Sequence, residues 1–459
     1  MSELNDHVDC AIIGSGLAGL KAAQQLEQAG KSVCVLEARD RVGGRMMAGT
    51  AAGETVDLGG QWVGPQQKLL LAEAASLKVE TYPQYVTGKS ALHFRGKLKH
   101  YTGEIPGLSP LALLDLATAM WRLDRIARTL PADAPWKAPR ATDWDCETVE
   151  SWVRRHVRTH AARDFFRIVC RAVFCAEAAD LSLLFFLDYA RSGHSLECLI
   201  GTEGGAQDAK FRGGAWQVAR KLADTLQGPI HFEAPVRAVS QTDTGLHIST
   251  DRGTVSADTM ICAIPPLLAS RIDFSGGLSA RRRGLMERMP MGSVIKVHIA
   301  YETPFWRDAG FNGSGVSDTL AFNVMFDQSP EDGSHGALVG FFDGAHAVDY
   351  SARGDNARKT AVIDAVTTLF GPQGREPIDY VDQNWLAEEW SRGCYVGLMP
   401  PGVLTDHVEE VRKLRIEVAA ENHPDRAEAG KHQAGDDDAA RDLPEKKIAE
   451  DRRHQRHQR

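Results

Sequence analysis

Residues 8–45 read VDCAIIGSGLAGLKAAQQLEQAGKSVCVLEARDRVGGR, and the order of residue types in this stretch decides the fold. An apolar run ending at Ile13 is broken by glycines. Leu17, Leu20, Ala23 and Leu26 follow at helical spacing, and a second apolar run covers Val33 to Leu36. Three- and four-residue spacing predicts a helix with one buried face, and the short runs on either side predict buried strands. Strand, turn, helix and strand in this order imply a parallel sheet.

The turn carries G-x-G-x-x-G as Gly14, Gly16 and Gly19, with Ser15 inside it. The first glycine permits the tight turn, the second lets backbone approach a pyrophosphate, and the third lets helix and strand pack closely. The helix N-terminus then offers unpaired N–H groups and a positive dipole end to phosphate. Glu37 closes the second strand, where a carboxylate can hold ribose hydroxyls. Three glycines in a turn are a weak signal alone. A strand before, a helix after and an acid at the right distance make this a dinucleotide site, which leaves NAD and FAD undistinguished.

The chain has 459 residues, enough for two or three domains. It is 43% hydrophobic and 25% charged, as globular proteins are. A net charge of -8, with no basic stripe in the body of the chain, excludes nucleic acid as the main partner. No apolar run approaches the roughly 20 residues of a membrane span. The polar start MSELNDHVDC is no signal peptide. The 8 cysteines are scattered without a C-x-x-C pair, so reduced thiols, a cytoplasmic location and no metal site are expected. Residues 108–190 read mostly helical. Strands are expected within 229–264, ending at TMICAIPP, and at 293–301, 319–326 and 337–342, with a helix at 355–370. Strand-rich and helix-rich blocks alternate over lengths too great for one simple winding.

The elements ARDRVGGR (Ala38, Arg39, Arg41, Gly43, Gly44, Arg45) and VDLGGQWVG (Asp57, Gly59, Gly60, Gln61, Trp62) resemble the flavin-containing amine oxidases, the monoamine oxidase family. The resemblance continues through GAQDAKFRGGAWQVA, PVRAV with Val236, ICAIPP, GSVIKVHIAYETPFW and NWLAEEWSRGCYVGLMPPG, covering residues 8 to about 405. It implies FAD, with the arginine and adjacent backbone on the pyrophosphate and the 59–62 loop passing the flavin ring. The expected fold class is α/β, or α+β overall: a FAD-binding Rossmann-like domain (1–85, 205–290, 385–406) interleaved with a substrate domain of mixed sheet plus helices (86–204, 291–384).

Lys296 lies mid-strand between Ile295 and Val297, and a lysine pointed inward needs a partner or a depressed pKa. The resemblance makes it the lysine that holds a water against flavin N5. Trp385 and Tyr395 match aromatics around the isoalloxazine, Tyr395 also facing substrate. Leu199, Ile200 and Gln207 match an apolar substrate tunnel with one polar contact. Cys394 matches the cysteine that in some members bonds the flavin through a thioether, so a covalent link and a buried inert thiol both stand open.

The resemblance implies oxidation of a primary amine to aldehyde and ammonia, with O2 reduced to hydrogen peroxide. A polyamine or amino-acid oxidase of the same fold is the alternative, and assembly as a homodimer is left open. The family's A-G-T-E and G-Y-x-x-G-A ending does not appear. After about Asp406 the chain is about half charged and has no Phe, Trp or Tyr, which reads as a disordered tail over 407–459, frameshifted or replaced. A flavin-poor, catalytically impaired protein is therefore a further alternative.

Overall fold

The computed structural model describes residues 7–103, 107–243, 245–275 and 277–412. One seven-stranded sheet runs Ile230–His231, Val33–Leu36, His7–Ile13, Gly253–Cys262, Gly245–Thr250, Val236–Thr242 and Asp273–Phe274 in spatial order. The first four strands are parallel, two antiparallel pairs continue it, and Asp273–Phe274 closes it parallel to Val236–Thr242. Ile13 pairs with both Leu36 and Cys262. Three parallel strands therefore end level, and the segments after them, at 14–16, 37–45 and 263–266, meet along one edge. Open parallel sheets bind ligands at that edge.

A second seven-stranded sheet runs Asp379–Asn384, Val294–Tyr301, Gly336–Asp343, Val324–Asp327, Phe311–Ser317, Lys89–Phe94 and Lys97–Tyr101. Val294–Tyr301 and Gly336–Asp343 are buried at every residue, so both of their faces are covered. One face packs Ile295, Val297, Ile299, Leu338 and Phe342 with Val362, Val366 and Leu369 of the helix Asp355–Phe370. Side chains alternate across a strand. The opposite face therefore carries Val294, Lys296 and His298 beside Phe341 and Asp343, placing three ionisable groups in a buried wall.

The helices Pro110–Ala127, Val149–His156, His160–Phe174 and Leu183–Ser192 pack around Leu123, Trp152, Phe166, Phe174 and Phe186. Ser109, Thr148, Thr159 and Ser182 start them, each side chain accepting a backbone N–H three residues on. No helix among the described residues is long and apolar enough to cross a membrane.

Two expectations differ from the structure. The strand expected over 319–326 spans Val324–Asp327, and a further strand that was not expected forms at Phe311–Ser317. Its Gly315 faces the helix so closely that a Cβ would sit 2.8 Å from Leu369 Cδ1, so small residues are what this strand needs. The charged tail, expected from 407, meets a helix at Val408–Arg412. His407 is buried, Val411 packs against the helical core, and Glu410 pairs with Arg281 at 3.1 Å, because the few apolar residues here share one side. The disorder expected of the rest lies on 413–459, outside the described residues.

Candidate active site

The edge where the three parallel strands end opens into one cavity of about 1640 Å³, which runs on between the second sheet and the helices. A pocket for one small molecule is roughly 300–1,000 Å³. This one has room for a dinucleotide and a substrate end to end.

Its first part is the glycine turn. Gly14 has φ +99, a conformation glycine adopts freely, and a Cβ there would lie 2.6 Å from Ile264 Cγ2. A Cβ on Gly19 would lie 2.0 Å from Gly14 O, whereas one on Gly16 would meet nothing within 4 Å, because Gly16 faces the cavity. Glu37 is buried, and its carboxylate accepts from Ser15 N at 2.8 Å, Ser15 Oγ at 2.6 Å and Arg39 N at 2.9 Å. Ala38, Arg39, Gly44, Arg45 and Val236 line the same end. Arg41 turns back onto Val42 O and Gly44 O, so Arg39 and Arg45 are the arginines of that loop that line the cavity. Arg45 also donates to Tyr395 O, and Arg39 donates to Glu388 and Ser391, tying the loop to the 385–402 segment. Glu388 and Ser391 carried no sequence signal beyond their place beside Cys394.

Gly59, Gly60, Gln61, Trp62, Lys296, Trp385, Cys394 and Tyr395 gather at the middle of the cavity. Lys296 is 3% exposed and donates to Gly59 O at 2.8 Å and Gln61 Oε1 at 2.7 Å, with Nζ 5.4 Å from the Trp62 ring centre. Burial pulls its pKa down to about 7, against the nearby Asp57 carboxylate, which favours the ammonium. Burial pushes Asp57 up, although Lys296 and the Ala215 and Trp216 amides stabilise its charge. Trp385 is buried and donates to Leu58 O at 3.0 Å. Tyr395 is 41% exposed, into the cavity, with its ring edge-on to Phe341 at 6.2 Å.

Cys394 packs with Cys175, Val294, Phe341 and Trp385. Burial pushes its thiol up to about 12 against the pull of Arg45. A thiolate is the form that attacks an electrophilic carbon, so this setting favours the inert thiol. Acid precipitation of flavin-loaded protein is accordingly expected to leave a colourless pellet and a yellow supernatant. A yellow pellet that Cys394→Ala bleaches would establish the thioether instead.

Beyond this centre the walls are Leu199, Ile200, Phe165, Ile168, Val169 and Phe326. Gln207 Nε2 donates to Leu199 O at 3.4 Å, while its Oε1 is buried with no partner among the described residues, an acceptor suited to an amine N–H. Asp343 also lines the cavity, accepts from Asn323 Nδ2 at 3.0 Å and is pushed up to about 7 by burial. Neither Asp343 nor the aromatic walls stood out in the sequence, because they read as ordinary strand and helix positions.

Comparison with known proteins agrees with this geometry. A family model described as flavin containing amine oxidoreductase matches residues 17–439. AofH of Mycobacterium tuberculosis, which bears the name of a flavin-containing monoamine oxidase, is 35% identical over 406 residues, 88% of this chain and 89% of that protein. Putrescine oxidase bound to putrescine superposes with a TM-score of 0.83 at 32% identity, covering 87% of this chain and 90% of that one. Cyclohexylamine oxidase from Brevibacterium oxydans gives 0.83 at 29% identity, over 88% and 90%.

Proposed function

The chain belongs to the flavin-containing amine oxidoreductases and is a FAD-dependent amine oxidase, and from that premise we propose that it deaminates primary amines carrying an apolar substituent. The products are aldehyde, ammonia and hydrogen peroxide. The observation that carries this reading is the continuity of the cavity from the glycine turn, past Lys296, to the apolar walls around Leu199 and Ile200.

The residues present fit FAD. Gly16 leaves open space at a helix N-terminus for a pyrophosphate, Glu37 stands at the ribose position, and Gly59 to Trp62 with Trp385, Cys394 and Tyr395 offer a lined slot for a flat ring. When bound, FAD supplies an acceptor for the hydride equivalent from the amine α-carbon and passes the electrons to O2. The protein supplies position and a dry pocket. Lys296, held by two carbonyl oxygens, keeps a third N–H for a water at the flavin face. Tyr395 and Phe341 orient the amine by their ring faces and edges. Gln207 Oε1 accepts from the amine.

Asp343 and the apolar walls disfavour an anionic substituent, and this supports amines over amino acids. Primary arylalkyl or short aliphatic amines are expected to release peroxide in an oxygen-coupled assay, and leucine and phenylalanine are not. Equal peroxide rates from those amino acids would overturn the assignment. A diamine is the second reading, supported by the likeness to putrescine oxidase and by Asp124, Glu197 and Glu203 along the cavity. Putrescine outperforming benzylamine would select it. A chain that takes up no FAD would remove both readings.

A further inference from the structure

Two buried lysines in this region are joined through a pair of side-chain amides. Lys296 Nζ donates to Gln61 Oε1 at 2.7 Å, Gln61 Nε2 donates to Gln328 Oε1 at 2.6 Å, and Lys210 Nζ donates to that same Gln328 oxygen at 3.4 Å. Lys296 is 3% exposed and Lys210 is 2% exposed. Burial pulls Lys210 down to about 8, as it pulls Lys296 down to about 7, and while both are protonated each ammonium carries three donors and no acceptor, so whichever amide atom it meets must be oxygen. Donor-only groups at both ends therefore give the chain a direction. Gln328 turns its oxygen toward Lys210 and toward the Gln61 NH2, and Gln61 in turn shows its oxygen to Lys296. Reversing either amide would set N–H against N–H in a buried place.

Lys210 and Gln328 are both firmly held. Lys210 pairs with Trp62 in the strand pair Trp62–Val63 and Ala209–Phe211, with its ammonium 5.0 Å from the Tyr82 ring centre. Gln328 N donates to Ala337 O at 2.7 Å. Its neighbour Asp327 is fixed by Arg307 at 2.7 and 2.8 Å, Trp306 Nε1 at 2.8 Å and Ser329 N at 2.8 Å.

We propose that Gln328, anchored by Lys210, is a positioning residue that fixes the Gln61 carboxamide with its oxygen toward Lys296 and so holds the Lys296 ammonium at the flavin face. The part of this that concerns the flavin rests on the amine oxidase reading. The hydrogen-bond chain itself does not. The ionisable groups facing Lys296 are Asp57, Lys210, Cys394 and, on its own strand, His298. Burial holds His298 well below the usual histidine range, so it is neutral. Changing Gln328 leaves Asp57, Cys394 and His298 in place and removes only the Lys210 bond to the same oxygen, so Lys210→Met in the Gln328→Leu background separates the amide chain from Lys210 itself.

The test compares Gln328→Leu, Gln61→Leu and the double variant. The titration of Lys296 Nζ is followed by nitrogen NMR in FAD-free protein carrying labelled lysine, and the pH profile of flavin reduction by benzylamine is followed in loaded protein. Gln328→Leu is expected to lower the Lys296 midpoint by about one pH unit, a tenfold change, because the ammonium loses an oriented acceptor. Gln61→Leu should do the same, and the double variant should add nothing further, since Gln328 acts through Gln61. Gln328→Met, nearer in shape, replaces the leucine if that variant folds poorly. An unchanged midpoint in the Gln328 variants, or additive shifts in the double variant, would overturn the proposal. An NMR shift without amine-dependent flavin reduction, in the parent as well, would leave the positioning intact and refute the amine oxidase reading instead.

Discussion

Lys296→Met is expected to give a folded, flavin-binding protein that turns over amine at least about a hundredfold more slowly, the lower range for loss of a positioned proton-handling group. The methionine stem fills similar volume in a strand buried at every residue, so the wall between the sheet and the cavity stays closed. What disappears is the ammonium held at 2.8 Å from Gly59 O and 2.7 Å from Gln61 Oε1, and with it the water that it would hold. Stopped-flow traces of both half-reactions, one with amine and one with O2, read the effect. Parental rates in both would sink the assigned role.

Stability carries an independent signature with a definite sign. Burial pulls the Lys296 pKa in the folded chain down to about 7, against the pull of Asp57, from the ordinary value of 10.5 that the unfolded chain regains. Between those values the unfolded chain binds a proton that the folded chain does not. The parent therefore gains stability as pH rises from about 7 toward 10.5, and below about 7 it carries the full cost of a buried ammonium. The methionine variant lacks this term. Its melting temperature should exceed that of the parent most at low pH within the folded range, and the two curves should converge as pH rises. Curves that stay parallel across that window would show that burial does not shift this lysine.

Asp145→Ala is expected to destabilise the chain by about 3 kcal/mol, the cost of leaving several buried donors without their acceptor. Asp145 is fully buried at the end of a short helix, Ala141–Asp145, remote in sequence from what it holds. Its carboxylate accepts from Ser182 Oγ at 2.6 Å and from Thr405 N and Thr405 Oγ1, both at 2.8 Å, while its backbone oxygen accepts from Gly402 N at 2.9 Å. The same residue thus caps the stretch that follows Cys394 and Tyr395 onto the helices whose side chains wall the cavity. Leu398 and Leu404 sink into the helical core beside it. Losing the carboxylate should loosen residues 398–411. Faster protease cleavage there and faster alkylation of Cys394 should accompany the lower melting temperature. Asp145→Asn keeps one acceptor and should lose less. An alanine variant with parental melting and parental Cys394 reactivity would show that the clamp carries no weight.

The glycine turn was legible in residues 8–45 because its requirements are local. Gly14 needs an unusual φ, Gly19 a missing Cβ and Glu37 a strand end, and each can be read within one strand, turn and helix. Helix starts at Ser109, Thr148, Thr159 and Ser182 are local for the same reason, since a cap bonds three residues away. The strand Phe311–Ser317 was not legible, because its glycines answer to residues distant in sequence, Gly315 to Leu369 and Gly313 to Asp327 and Trp306, and carry no alternation. The partners of buried polar groups were hidden more deeply. Lys296 could be singled out as a lysine inside an apolar strand, yet Lys210 and Asp343 became members of the site through sheet register, and Gln328 through the loop that follows the strand Val324–Asp327. Lys296 lies opposite Phe341, Val294 opposite Asp343, and Trp62 opposite Lys210. Residue type and spacing determined the nucleotide turn, the helices and the central strands, because backbone geometry and one-sided burial act over a few residues. Which charge meets which acceptor was decided by tertiary structure, because a desolvated polar group must find its partner wherever packing brings one within about 3 Å.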